Sequence, residues 1–197
     1  RSSAASDVYK RQGVGGSVGG VAVANTTRAF IEDGTSAADA AAVTVSGGDL
    51  TVAAEEFASS WLISGGGGGG GAAGVGAALS VGVNSSTTEA RIGNFTQTDA
   101  TGTTSVTADS TENVNTVTVA GAGGGTAGVA GSIAMNVVVS KTEAAIGQNA
   151  RVNQTLGGAA QDVNVSASDR IVSVAIAGAG AGGGAAGVGV ALDATIA

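Results

Sequence analysis

Three stretches of the chain are near copies of one another. Gly65 to Leu79 reads GGGGGGGAAGVGAAL, Gly121 to Ile133 reads GAGGGTAGVAGSI, and Gly178 to Leu192 reads GAGAGGGAAGVGVAL. A clipped copy, GVGGSV, starts at Gly13. With Gly74, Gly128 and Gly187 taken as equivalent, the copies lie 54 and 59 residues apart. Repeats of that length are units that cannot bury a face alone and do so by stacking on their neighbours.

After the glycines each copy alternates strictly. Val75, Ala77, Leu79, Val81 and Val83 fall on one face of an extended chain, as do Val129, Ile133, Met135 and Val137 one repeat later. Period two is the signature of a strand. The opposite face holds Gly74, Gly76, Ala78 and Ser80, small residues that mark a second layer of backbone passing close by. A flexible glycine linker carries no such phased valines. A second extended run precedes the glycines, with Val172, Val174 and Ile176 alternating with Ser173, Ala175 and Ala177. Each repeat therefore reads as two extended runs joined at a glycine hinge, near Gly123–Gly125 or Gly182–Gly184.

The composition fits a solenoid better than a globule. Glycine supplies 36 residues and proline none, yet 43% of the chain is apolar and that apolar content is periodic, which separates it from disorder. Few aromatics are present, so the expected core is a thin column with one or two rows of Val, Ile and Leu inside. Cysteine is absent, and strand stacking must supply the stability that disulfides give elsewhere. The net charge of −7 and the scatter of the cations Arg28, Arg91, Lys141, Arg151 and Arg170 exclude a basic patch, so nucleic acid is not an expected partner.

Residues 1–12 stand apart. Ser2 to Gln12, SSAASDVYKRQ, resembles the in-frame translation of a transposase-type sequencing adapter and is set aside from fold reasoning. The rest is read as an internal fragment of a longer repeat array, with units at about 13–64, 65–119, 120–176 and a partial 177–197. In the first unit Gly19-Gly20 reads as a bulge. A block T-x-A-x-I follows at Thr27–Ile31, Thr88–Ile92 and Thr142–Ile146, a short strand ending at a turn. Polar loops of varying length come next, at 33–39, 94–103 and 148–161. Ala37 to Ala42 is too short to hold as a helix. A closing strand runs over Leu50–Ala54, Ser105–Ala108 and Val163–Ala167, with a polar corner after it at Glu55-Glu56, Asp109 and Asp169.

The expected fold is all-β, a parallel β-helix (β-solenoid) built from repeats of 54–61 residues. Coils of about 20 residues would give two to three per repeat. The alternative is an antiparallel arrangement with each glycine hinge forming a hairpin.

The chemistry-bearing motifs are few. G-x-G-x-x-G occurs at Gly69-Gly71-Gly74, Gly123-Gly125-Gly128 and Gly182-Gly184-Gly187, but a dinucleotide fingerprint needs a helix after it, and here a strand follows. Histidine and cysteine are absent, which removes most triads and metal sites. The candidate carboxylate pairs are Glu55-Glu56, Asp109 with Glu112, and Asp162 with Asp169, read as solubilising groups at corners rather than glycosidase pairs. A weak Ca²⁺ site at those corners lacks its G-G-x-G-x-D signature. The uncharged runs 57–88 and 171–192 are too rich in glycine and serine for membrane helices. The sequons at Asn25, Asn84, Asn94, Asn153 and Asn164 mark polar turns or strand edges. Thr96, Thr98, Thr101, Thr103 and Thr104 do not recur in the next repeat, as an ice-binding ladder would require.

The AGAGGGTAGVAGS strand, the T-E-A-x-I-G block and the V-x-V-x-A-S strand together resemble repeats of very large bacterial surface proteins, the filamentous-haemagglutinin-like and leukotoxin-type filamentous adhesins. That resemblance covers nearly all of residues 13–197. It implies a secreted β-helix shaft at the bacterial cell surface, exported by a two-partner or autotransporter route through an outer-membrane transporter. Its partners would be neighbouring repeats of the same chain, and a host-cell or matrix surface touched through other regions. It implies no catalysis, and no catalytic, cofactor-binding or metal residues are assigned. Two other classes stay open: a β-helix enzyme acting on polysaccharide, and a self-assembling or ice-binding surface repeat.

Overall fold

A computed structural model describes residues 12–156 and 161–197. The adapter-like segment lies outside the described residues except for Gln12, as do residues 157–160 of the third polar loop. Ten strands and no helix make up the described chain. They are β1 (Gln12–Ile31), β2 (Ala41–Val45), β3 (Leu50–Gly70), β4 (Ala73–Ile92), β5 (Thr96–Ala100), β6 (Thr104–Gly124), β7 (Ala127–Ile146), β8 (Arg151–Val152), β9 (Val163–Gly183) and β10 (Ala186–Ile196).

Every ladder between these strands is parallel, and they form three sheets in the orders β1-β4-β7-β10, β2-β5-β8 and β3-β6-β9. The chain visits the three sheets in turn and returns one strand further along, which is a parallel β-helix. Gln12 pairs with Ala73, Ala73 with Ala127, and Ala127 with Ala186. Each repeat is therefore one coil, not two or three. The long strands run about 66 Å at ~3.3 Å per residue, while four rungs at ~4.8 Å rise only about 14 Å. The piece is a broad slab, wider than it is tall, and not the slender column expected.

Two local expectations change with that coil. β1 pairs with β4 without a slip from Gln12–Ala73 to Ile31–Ile92, so Gly19-Gly20 is no bulge. The T-x-A-x-I blocks are the last turns of β1, β4 and β7 rather than separate strands. Likewise β3, β6 and β9 run straight through the supposed corners at Glu55-Glu56, Asp109 and Asp169. The second and third polar loops hold two strands of the short third sheet, and its first strand follows the 33–39 loop, so that Thr96–Ala100 pairs with Ala41–Val45. The glycine hinge is a bend at residues 71–72, 125–126 and 184–185 that carries the chain from one long sheet to the other. The strands it joins are not hydrogen-bonded partners, so the antiparallel hairpin does not form.

The interior reverses the expected assignment of faces. Val75, Val83, Val129 and Ile133 point outward and are exposed, and Gly74, Gly76, Ala78 and Ser80 point inward. The cause is the separation of the two long sheets. Next to the bend they lie so close that a Cβ on Gly66 or Gly68 would run into the carbonyl oxygen of Ala77 or Val75, and one on Gly76 into that of Gly121. Only glycine fits there.

Farther from the bend the sheets diverge and the inward side chains grow to fill the wedge. Ala78, Ala120 and Ala130 come first. A hydroxyl and amide layer follows, in which Ser64 bonds Ser80 and the Thr118 hydroxyl donates to Ser80 Oγ at 2.6 Å. The wide end, closed by the third sheet, holds the main aliphatic cluster: Val52, Ala54, Ala90, Ile92, Val106 and Ala108, with Ile31, Ile146 and Val152 packed against them. Ile92 is fully buried, and Ile92→Ala is expected to lower the unfolding free energy by about 2–4 kcal/mol, read from denaturant midpoints.

Candidate functional site

The acids singled out from sequence do not come together in the pairs expected. Glu55 and Glu56 are neighbours on a strand and point to opposite faces, as do Asp109 and Glu112. Asp162 lies just before β9, where its backbone carbonyl accepts from Thr104 N at 2.9 Å, and Asp169 lies within the strand. The register makes different pairs. Glu55 stands beside Asp109 on the outside of the β3-β6-β9 sheet, in a shallow depression with Phe57 and Thr111. On the inside Glu56, Ser110 and Asp169 form one column, and Glu112 lies in the next.

Glu112 is completely buried. Its Oε1 accepts from the hydroxyls of Ser86, Ser110 (2.6 Å) and Ser140 (2.9 Å), contributed by both long sheets. Burial works to raise its pKa, but the hydroxyls of Ser110, Ser86 and Ser140 and the Asp169 carboxyl outweigh it, and the net shift is downward. Asp169 moves the other way. Burial raises it first, and the charge of Glu112 with the hydrogen bond to it adds to that, against the Ser140 hydroxyl and the Arg170 N–H. The charge of Glu112 thus disfavours ionisation of Asp169, while the donors around Glu112 favour its own. Glu56 faces the same interior and accepts from the Thr88 hydroxyl at 3.0 Å. Glu56 and Glu112 are buried, whereas Asp169, on the last rung of its sheet, is exposed; together they act as a hydrogen-bonded strut across the inward phase of the coil. Among the described residues no group of three or more acidic side chains is placed to hold a metal ion.

The corners of the third sheet carry a second polar system, which ties coil to coil. Asp33 accepts from Asn94 N at 2.9 Å and from Asn94 Nδ2 at 3.1 Å, and Asn94 Oδ1 in turn accepts from Gln148 N at 2.7 Å. Asp99 is buried beneath the third loop and accepts from Gln154 N (2.7 Å), Thr155 N (2.9 Å) and Gln97 Nε2 (3.1 Å). Burial pushes Asp99 up, but these donors win and its pKa is lowered. A carboxyl with a depressed folded pKa adds stability above its unfolded pKa, and that stability is lost as pH falls through the folded value. Asp99→Ala is expected to cost about 1–2 kcal/mol at neutral pH and to flatten the acid limb of the stability curve below about pH 4.

The remaining motifs are structural. In each G-x-G-x-x-G the chain bends and a strand follows, not a helix. Asn84 is buried inside the coil, so its sequon is closed to modification. Thr96, Thr98 and Thr104 are buried too and form no outer ladder. No helix among the described residues is long and apolar enough to cross a membrane.

Sequence reasoning missed the surface that stands out most. From Val14 to Ala22 in β1, and at the paired positions of β4, β7 and β10, every outward residue is apolar or glycine. One ridge is Val14, Val75, Val129 and Val188, and a second is Val18, Leu79, Ile133 and Leu192. Between them runs a trough floored by Gly16, Ala77 and Gly131 and closed at the fourth rung by Val190. The charges of this face lie beyond its end and are paired: Arg28 with Glu89 (3.2 Å), Arg91 with Glu89 (3.7 Å) and Asp33 (3.6 Å), and Lys141 with Glu143 (2.9 Å). The alternation of these ridges is plain in the sequence, but the expectation that they point inward hides them as a surface. No protein-family model matches the chain, and neither does any curated protein or solved structure.

Proposed function

We propose that the chain is a structural and adhesive module of a large secreted bacterial surface protein, built to be stacked end to end with further coils of its own kind. The observation that supports this reading is the register. Three successive ladders join β1, β4, β7 and β10 at equivalent residues with no slip along any strand, so each coil presents the next with the template on which it was itself laid down. The broad coil makes it a wall more than a spacer, since it adds only ~4.8 Å of height per repeat. The placement at the bacterial surface rests on the resemblance of the glycine–valine strand and the T-E-A-x-I-G block to filamentous adhesins.

Inserting a second copy of residues 127–185 between Ala185 and Ala186 adds one full coil in register. The expected result is a single cooperative unfolding transition with a raised midpoint, since interfaces between coils carry the stability. Two separate transitions, or an unchanged midpoint, would sink the stacking reading. The polysaccharide-enzyme alternative has one arrangement in its favour, the exposed Glu55–Asp109 pair, and Asp109→Asn abolishing hydrolysis of a polysaccharide panel would establish it.

A further inference from the structure

We infer that the apolar outer face of the β1-β4-β7-β10 sheet is the contact through which two copies of this chain pair side by side with their coil axes parallel. The inference stands on the geometry of the face and is independent of the surface-protein reading. Ile133 is 45% exposed, Val18 80% and Leu192 59%, on a face with no charge between its ridges. Contiguous apolar surface of this kind marks an interaction site. At ~3.3 Å per residue and ~4.8 Å per rung it covers about 600 Å², and two copies together reach the ~1,200 Å² at which specific interfaces begin.

The relief of the face is self-complementary. Ridge and trough are two residues apart on the first three rungs, so a twofold axis parallel to the coil axis can pass between them. That operation sets the Val18–Leu79–Ile133 ridge of each copy into the Gly16–Ala77–Gly131 trough of the other, and it does so reciprocally. It also matches each rung with the same rung of the partner. Every coil added to a longer array then repeats the contact, and pairing tightens with length. Charge argues against an anionic lipid or nucleic acid as occupant: the molecule carries −7, and three of the described cations, Arg28, Arg91 and Lys141, are paired with acids at the far end of this very face.

Sedimentation of the whole chain up to about 100 µM tests this. The wild type is expected to reach a monomer–dimer equilibrium in the micromolar range. Ile133→Lys puts a charge on the ridge and is expected to weaken pairing at least ~10-fold, and Ala77→Leu, which fills the trough without adding charge, to weaken it as well. Val119→Lys, on the outside of the opposite sheet, is expected to leave pairing unchanged. A wild type that stays monomeric at the highest concentration overturns the proposal. So does pairing that is indifferent to Ile133→Lys, or equally sensitive to Val119→Lys, which would place the contact at the open strand edges. Binding to neutral phosphatidylcholine vesicles by a chain that remains monomeric in solution also overturns it, in favour of lipid.

Discussion

Gly68→Val is expected to lower the unfolding free energy by at least about 3 kcal/mol, while Gly69→Val, one residue further on, leaves it unchanged or raises it by up to ~1 kcal/mol. Both positions lie in the same unbroken run of glycines, in the same strand, and nothing in the local sequence tells them apart. Gly68 points into the narrow edge of the wedge. Any Cβ there collides with the carbonyl oxygen of Val75 and presses on the backbone of Gly15 on the neighbouring strand. These are ladder atoms, and relieving the clash means parting two sheets. Gly69 points outward, and a Cβ placed on it would meet nothing within 4 Å, as at Gly123 and Gly182 in line with it on the neighbouring strands. A β-branched residue there loses no contact and restricts the unfolded chain. Chemical denaturation of the two variants, followed by circular dichroism, reads the difference. Equal effects at the two positions would mean that the sheets are not in contact at this edge.

The same geometry explains which parts of the fold are legible in the sequence. Period two in Val75–Val83 and Val129–Val139 identifies strands and a repeat but fits an antiparallel hairpin array as well, and the register decides for the parallel β-helix. Period two also defines two faces, but it does not say which is inside. The rule that large aliphatics go inward chooses the valines, and here the spacing of the sheets overrides it. A clue is present on both sides of the bend. Gly66, Gly68 and Gly70 before it, and Gly74 and Gly76 after it, are in one inward phase, as two backbones in contact require. The coil length is hidden because β5, Thr96–Ala100, is so polar that it reads as loop, although Thr96, Thr98 and Ala100 are buried. The interior acids are hidden for a similar reason. Glu112 and Asp169 look like solvated groups until the phase of their strands turns them inward.

Glu112→Ala is expected to cost about 3 kcal/mol or more, because it removes the one acceptor shared by Ser86, Ser110 and Ser140 and leaves three hydroxyls without it in a dry interior. Glu112→Gln keeps an oxygen at that place and is expected to lose much less. The partner carboxyl gives the effect a pH signature. Glu112 is depressed in the folded chain, so its contribution is complete above its unfolded pKa of about 4.3 and is lost as pH falls through the folded value. Asp169 is raised, and an acid raised by folding behaves oppositely. Its contribution is full below the unfolded value of about 3.9 and declines as pH climbs through the folded one. Asp169→Asn keeps a donor for Glu112 and cannot ionise. It should match the wild type at about pH 3 and become progressively more stable than it as Asp169 ionises, with the gap constant above that titration. In the Glu112→Ala background burial still raises Asp169 but the Glu112 charge no longer does, so the gap should shrink and reach its plateau at lower pH. Thermal melts of the four chains between about pH 3 and 8 decide the matter. If Asp169→Asn tracks the wild type across that whole range, folding does not raise Asp169, and the strut is held by the serines alone.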